Sequence, residues 1–335
     1  VLAFHEAFAD IVALFQHFSL PEVLRHQIAS TRGDLAGQSQ LGELAQEFGQ
    51  AIGNRGALRS AIGTVDERTG KWKRLDGHPD DYQKSSEPHE RGAVLVAAVF
   101  DAFLSVYKSR VADLFRLATE GTGVLPEGSL YPDLVDRLTE EASLSARQVL
   151  EMCIRALDYC PPVDITFGDY LRALVTADFE HDPVDEENRR VAFMEAFRQR
   201  GIVPEQVQAF SVDGLLWRAA SAAPDEDEQV VVGIVKEWAK DISSWGLSKD
   251  RKALFELTRD RRATLHAYLR PKLSRESVVL AGIDPELPFE VHSLRPSIRM
   301  DWEGRPNFQW VIELTQRIPQ QVGDPVAAGQ KPDYY

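Results

Sequence analysis

The sequence predicts a mainly α-helical protein that ends in a small α+β domain, and three observations lead to this prediction. Apolar residues recur at helical spacing through most of residues 1–202. Beyond them comes the acidic, proline-containing stretch APDEDEQ, which is typical of a linker or an exposed loop. From Ser277 the pattern changes to the alternation of apolar and polar residues that favours strands. We therefore expect a helical domain at 1–202 and an accessory α+β domain at 203–335.

The composition excludes several classes of function. The chain has 335 residues and a net charge of −14, which argues against partners rich in phosphate, so we expect no nucleic acid and no anionic membrane surface. We find no apolar run near the roughly 20 residues that span a bilayer. The two cysteines, Cys153 and Cys160, have neither disulfide-framework nor CxxC spacing. Free thiols and a cytoplasmic location are the prediction.

The first predicted helix, residues 1–18, carries two acidic residues one turn apart. Glu6 and Asp10 lie in a stripe beside a broad apolar face, and the remaining side of the helix has no Lys or Arg. The face consists of Phe4, Ala7, Phe8, Ile11, Leu14, Phe15 and Phe18. Because two like charges at this spacing repel and cost free energy when buried, a proton, an Arg, a His or a metal ion must neutralise them. An internal salt bridge is the simplest answer. A metal site that includes His17 is disfavoured, because His17 lies about 16 Å along the helix from Glu6.

Further helices are predicted along the first domain. They cover 21–30, 40–52, 89–119, 132–159 and 164–181, with a closing helix in RRVAFMEAFRQRGI. Thr166 and Asp169 have the spacing of a capping box, and Gly201 is the stop of the closing helix. The stretch at 53–88 lacks periodicity and is long for a loop, which is typical of the wall of a substrate cleft.

The accessory domain is predicted to contain two helices and a hairpin. The helices lie near 229–246 and 249–270, and the loop Glu303-Gly304-Arg305-Pro306 joins two strands. The buried face of the second strand is predicted to carry Phe308, Trp310, Ile312 and Leu314. We find no catalytic constellation in this domain.

The hexapeptide HEAFAD, His5 to Asp10, resembles the second zinc motif of the thermolysin-like metallopeptidases, the gluzincins. In that family an E-x-x-x-D pair lies on a buried helix, where the Glu binds zinc and the Asp orients a ligating His. The resemblance implies that Glu6 is a zinc ligand and that Asp10 orients an imidazole.

Two further stretches match the family in the expected order. ALRS, followed later by HPDDYQ, is similar to the segment whose Arg contacts the substrate carbonyl, and Arg59 takes that position. EPHERGAVLVAAVFDAF is similar to the segment in which a His precedes an apolar helix, with Gly92 easing the turn into that helix. The resemblance implies that His89 stabilises the oxyanion of the tetrahedral intermediate. The H-x-x-G spacing here is one residue shorter than in the family.

The HExxH helix that carries the two His ligands and the general base of a gluzincin is missing from this sequence. In the family this helix precedes the Glu motif. We therefore expect the chain to be the C-terminal portion of a zinc metalloendopeptidase, with its two His ligands in an upstream part of the same polypeptide. Such a chain would act on peptides or proteins only in the intact enzyme and would be inactive alone. The alternative is a non-catalytic helical scaffold or interaction module, which predicts that Glu6 and Asp10 pair with Arg or Lys.

Overall fold

The computed structural model of the protein describes most of the predicted helical domain and part of the accessory domain. The described residues are 1–35, 63–65, 72–74, 76–205, 207–217, 233, 238, 250–271, 284, 287–300 and 305–317.

The chain divides into two compact units. The first comprises Val1–Ala219 with Asp301–Arg305, and the second comprises Ala220–Met300 with Pro306–Tyr335. The sequence placed the division after residue 202. The first unit extends further because Leu215 is fully buried in its hydrophobic core.

The described part of the first unit consists mainly of helices, which agrees with the predicted mainly α class. They are α1 Leu2–Phe18, α2 Pro21–Thr31, α3 Asp81–Lys84, α4 Pro88–Ala118, α5 Pro132–Ala156, α6 Phe167–His181, α7 Arg189–Gln199 and α8 Val212–Leu215. A 3₁₀ turn at Leu157–Tyr159 extends α5, and the short strands β1 Gly63–Val65 and β2 Trp72–Arg74 pair antiparallel. The helix predicted at 40–52 and most of the predicted cleft wall lie outside the described residues.

The long helix α4 forms the centre of this unit, and α1, α5 and α7 all pack against it. Its N-terminal half is almost wholly apolar and buried. Phe103 contacts Phe15 edge to face, with ring centroids 5.4 Å apart. Aromatic contacts of this kind add to the free energy gained by burying the rings.

By length and composition α4 could cross a membrane, contrary to the expectation from the sequence. Its most apolar 18-residue window has a mean hydropathy of 1.5, and 78% of that window is buried inside the protein. Isolated polar residues such as Asp101 interrupt the apolar run in the sequence without lowering the mean hydropathy of the helix below this level. A single mostly buried helix of this kind also occurs in the cores of soluble proteins, so it is weak evidence for a membrane.

The predicted ends of two helices are found in the structure. Thr166 Oγ1 accepts a hydrogen bond from the backbone of Asp169, whose carboxylate accepts one from the backbone of Thr166, so α6 begins with a capping box. After α7, Gly201 has a φ of +72°, and a Cβ there would lie 1.9 Å from the carbonyl oxygen of Pro79. Only glycine can therefore occupy the position that ends α7.

The second unit contains a helix and the predicted hairpin. Helix α9, Arg251–Leu269, corresponds to the helix expected at 249–270. Strands β3 Phe289–Met300 and β4 Pro306–Gln316 pair antiparallel with Met300 opposite Pro306, and most of the predicted loop between them lies outside the described residues. A small core of Leu265, Leu269 and Val291 packs with Ile312 and Leu314 of the predicted buried face. The helix predicted at 229–246 lies almost entirely outside the described residues.

Candidate functional site

Three of the predicted site residues meet where the N-terminal half of α1 crosses the start of α4. Glu6 and Asp10 lie one turn apart on α1, and His89 is the second residue of α4. We call Glu6, Asp10 and His89 the α1–α4 site. The resemblance placed His89 just before the apolar helix, but His89 lies inside the first turn of α4, because Pro88 occupies the first helical position and the Glu87 side chain accepts a hydrogen bond from the amide of Glu90.

His89 and Glu6 are in direct contact. His89 Nδ1 lies 2.5 Å from Glu6 Oε2, an ion-pair distance. The same oxygen is shielded from solvent. The two atoms are close enough for an ion pair, but their angles do not meet the geometry of a hydrogen bond. Among the described residues, the ion pair with His89 is therefore the contact that offsets the negative charge of this oxygen.

Asp10 shares the environment of Glu6. Burial, and next the negative charge of Glu6, raise the pKa of the Asp10 carboxyl, while His89 acts in the opposite direction. Within the part of the chain that the structure describes, neither Glu6 nor Asp10 forms an ion pair with Arg or Lys. The pairing that the scaffold alternative predicts is therefore not formed among these residues.

The α1–α4 site does not provide a complete set of metal ligands. Among the described residues, no group of three or more His, Cys, Asp or Glu side chains could hold a metal ion, and this includes the combination with His17. A catalytic zinc ion usually has three protein ligands. Glu6 supplies one carboxylate, a ligand type that zinc accepts, and its Oε2 is already in contact with His89 Nδ1.

The fourth predicted site residue, Arg59, lies outside the described residues. Its role at the substrate carbonyl stays a prediction.

A buried ionic cluster at the other end of the unit was not predicted. Asp178 on α6 accepts hydrogen bonds from Arg189 Nε at 3.2 Å and from Arg190 Nη1 at 2.8 Å. All three side chains are almost fully buried, and Arg189 also pairs with Asp182. Burial raises the pKa of Asp178, and the two guanidiniums oppose this effect. The sequence feature that could have indicated this buried cluster is the pair of adjacent arginines after the acidic stretch DPVDEEN. Charge runs of this kind are usually solvated, so the feature is a weak indication of burial.

This cluster borders a cavity of about 660 Å³ between α5, α6 and the segment that leads into α7. His181 lines the cavity, and its Nδ1 lies 2.8 Å from Arg155 Nη1. Since Arg can only donate, Nδ1 of His181 is the acceptor and Nε2 carries the proton. Burial, and next the charge of Arg155, lower the pKa of His181.

Comparison of the chain with protein-family models, with curated proteins and with solved structures finds no match.

Proposed function

We propose that this chain is the C-terminal portion of a thermolysin-like zinc metalloendopeptidase, which cleaves peptide bonds in peptide or protein substrates. The observation that carries the proposal is the contact between His89 and Glu6, at 2.5 Å, with Glu6 Oε2 buried and without a hydrogen bond. Two motifs that are distant in the sequence were both assigned to one active centre by the family resemblance. The folded chain brings their key side chains together, which supports that assignment.

In this proposal Glu6 holds the metal ion and Asp10 orients one of the imidazoles that also bind it. Zinc, when bound, supplies a Lewis acid that polarises the scissile carbonyl and lowers the pKa of a water molecule. The two histidine ligands and the general-base Glu come from an HExxH segment outside this chain, on the same polypeptide. Asp10 is suited to its role because it follows Glu6 by one helical turn and faces the same side.

His89 is placed to stabilise negative charge that develops on the substrate. As the second residue of α4 it lies at a helix N-terminus, where the free backbone amides and the helix dipole favour an anion. Its side chain is about half exposed, at 54%, so a substrate can reach the ring. An imidazole that donates to the oxyanion at this position contributes to transition-state stabilisation. Arg59 completes the proposal as the residue that binds a substrate carbonyl.

The cysteines support a cytoplasmic location for this enzyme, and the net charge bears on its substrates. Cys153 and Cys160 are both free thiols, as expected in a reducing compartment. The net charge of −14 favours substrates without strong negative charge.

The experiment that tests the proposal is a peptidase assay on the protein expressed from its full open reading frame, with casein as the substrate. We expect cleavage that a zinc chelator abolishes and that added zinc restores. Glu6→Gln should abolish it, whereas Glu22→Gln, a matched change on the exposed face of α2, should not. An absence of cleavage by wild-type protein shown to contain zinc, or cleavage that survives Glu6→Gln, would overturn the proposal and favour the scaffold.

A further inference from the structure

The α1–α4 site depends on an unusually close approach of two helix backbones. Gly92 lies in α4 opposite Ala3 of α1, and a Cβ at position 92 would lie 3.0 Å from the carbonyl oxygen of Ala3. It would also lie 3.6 Å from the backbone nitrogen of Ala7 and 3.7 Å from the Ala7 Cβ. A separation of 3.0 Å is shorter than nine in ten contacts that real Cβ atoms make, so a side chain here would force α4 away from α1 by a few tenths of an ångström.

Backbone conformation does not explain this glycine. Gly92 lies inside a regular helix, and its φ is not in the left-handed region that favours glycine. Glycine is among the poorest helix formers, so at this position it weakens α4. The expectation that Gly92 eases the turn into the helix is wrong, because α4 already begins at Pro88. What the missing side chain provides is space between the two helices.

The crossing point is one helical turn from the contact between His89 and Glu6. Ala3 and Glu6 are three residues apart on α1, and His89 and Gly92 are three residues apart on α4. Residues at this spacing lie on the same side of a helix. The distance between the two backbones at Gly92 therefore sets how near His89 can come to Glu6.

We propose that Gly92 is a positioning residue of the α1–α4 site, and that its lack of a side chain holds His89 against Glu6. The importance of Gly92 for zinc binding and catalysis rests on the proposed function. Its control of the distance between His89 and Glu6 does not, since it follows from the crossing of α1 and α4 alone.

The test compares Gly92→Ala and Gly92→Val with Ser105→Ala, an exposed position on the same helix that does not face α1. Crystal structures of the full-length proteins give the distance from His89 Nδ1 to Glu6 Oε2, which is 2.5 Å in the native chain. Competition with a chelator gives the zinc affinity, and urea unfolding gives the stability. Gly92→Ala distinguishes a change in stability from a change in the position of His89. Alanine raises the intrinsic helix propensity of α4, whereas its methyl group crowds the crossing with α1.

For Gly92→Ala we expect the His89–Glu6 distance to lengthen by a few tenths of an ångström or more and the zinc affinity to fall about tenfold, as for changes that misplace a metal ligand. The urea concentration at the unfolding midpoint should fall little. Gly92→Val should lengthen the His89–Glu6 distance further and lower the zinc affinity further. An unchanged distance in Gly92→Ala would overturn the proposal. An unchanged zinc affinity despite a longer distance would overturn its functional part.

The outcomes for Gly92 and for the proposed function are distinguishable. If the wild-type protein binds no zinc, the proposed function fails, and the distance measurement still decides the role of Gly92. If Gly92→Ala does not fold, Ala7→Val crowds the same crossing from α1 and should lengthen the same distance. A native distance in that variant would then overturn the proposal.

Discussion

His89 Nδ1 lies 2.5 Å from Glu6 Oε2, across the crossing of α4 and α1. Glu6 Oε2 is shielded from solvent and forms an ion pair with His89 Nδ1, although the angles between them do not meet hydrogen-bond geometry. It is the only ion pair of Glu6 among the described residues, and Asp10, one turn along α1, adds a second carboxyl to the same surroundings. The Glu6 side chain itself is about one third exposed, so the ion pair lies at the edge of the helix packing.

Replacing His89 by Ala should reduce the catalytic rate and leave the metal in place. Loss of one oxyanion donor lowers kcat by about 10²–10³-fold in other hydrolases, and we expect a reduction of that size here. Zinc content should stay at the wild-type level, because His89 is not proposed as a ligand and its loss leaves Glu6 in place on α1, whereas Gly92→Ala displaces α1, and Glu6 with it, against α4. The measurement is kcat together with elemental analysis of the full-length protein. His26→Ala, at an exposed position on α2, is the control, and a wild-type kcat in His89→Ala would refute the assigned role.

In the zinc-free protein, Asp10→Asn should be stabilising at neutral pH and not at low pH. The pKa of Asp10 is raised in the folded state by burial and by Glu6, so its stabilising contribution is present below the ordinary pKa of 3.8 and is lost as the pH rises through the raised value. At pH 7 the variant removes a charge beside Glu6, and we expect a gain of about 0.5 kcal/mol in the free energy of unfolding.

Urea unfolding at pH 7 and pH 3.5 measures this effect, with Asp113→Asn on the exposed face of α4 as the control. An equal gain at both pH values, or a loss at pH 7 alone, would contradict the assigned electrostatics of Asp10.

The elements that could be predicted from the sequence depend on local patterns. The apolar face of α1 is buried except for Phe8, which is partly buried, and the capping box of Thr166 and Asp169 follows from chemistry within one turn. The hairpin between β3 and β4 follows from alternation around a glycine-containing loop. In each case the residues that decide the structure are neighbours in the sequence.

The features that could not be predicted depend on which helices meet. Nothing near Gly92 in the sequence shows that Ala3 lies opposite it, so its role was misread as a local one. The contact between His89 and Glu6 could be expected only from the family resemblance. Arg189 and Arg190 were placed in an ordinary core helix without a partner, because Asp178 reaches them from another helix.

Asp178→Asn should destabilise the helical unit strongly. The change removes the negative charge that Arg189 and Arg190 share in a nearly solvent-free position, and breaking a buried pair in this way costs about 3–5 kcal/mol. Thermal and urea unfolding measure the loss.

The control is Glu195→Gln, which breaks an exposed pair with Arg198. Hydrogen bonds from Arg198 and Gln199 lower the pKa of Glu195 to about 2, but solvent screens this pair, so we expect a loss of no more than about 0.5 kcal/mol. Equal losses in Asp178→Asn and Glu195→Gln would show that the cluster around Asp178 is not a buried network.

Both cysteines should react slowly with iodoacetamide in the native protein. Burial is the main cause that raises the pKa of Cys153 and of Cys160, in each case to about 12. At pH 8 the thiolate is then about one part in ten thousand of each thiol, and alkylation requires the thiolate. We expect labelling at least about 100-fold slower than in the urea-unfolded chain. Mass spectrometry after timed alkylation provides the rates, and fast labelling of either native cysteine would contradict its assigned burial.

The most direct test of the central claim, that Glu6 is a zinc ligand, is the zinc content of the full-length protein by elemental analysis. Wild type, Glu6→Gln and the control Glu22→Gln should be purified in parallel without added chelator. The account predicts about one zinc per chain in wild type and in Glu22→Gln, and very little in Glu6→Gln, because a neutral amide is a poor replacement for a carboxylate ligand. Wild-type protein without zinc, or Glu6→Gln with a full complement, would contradict it.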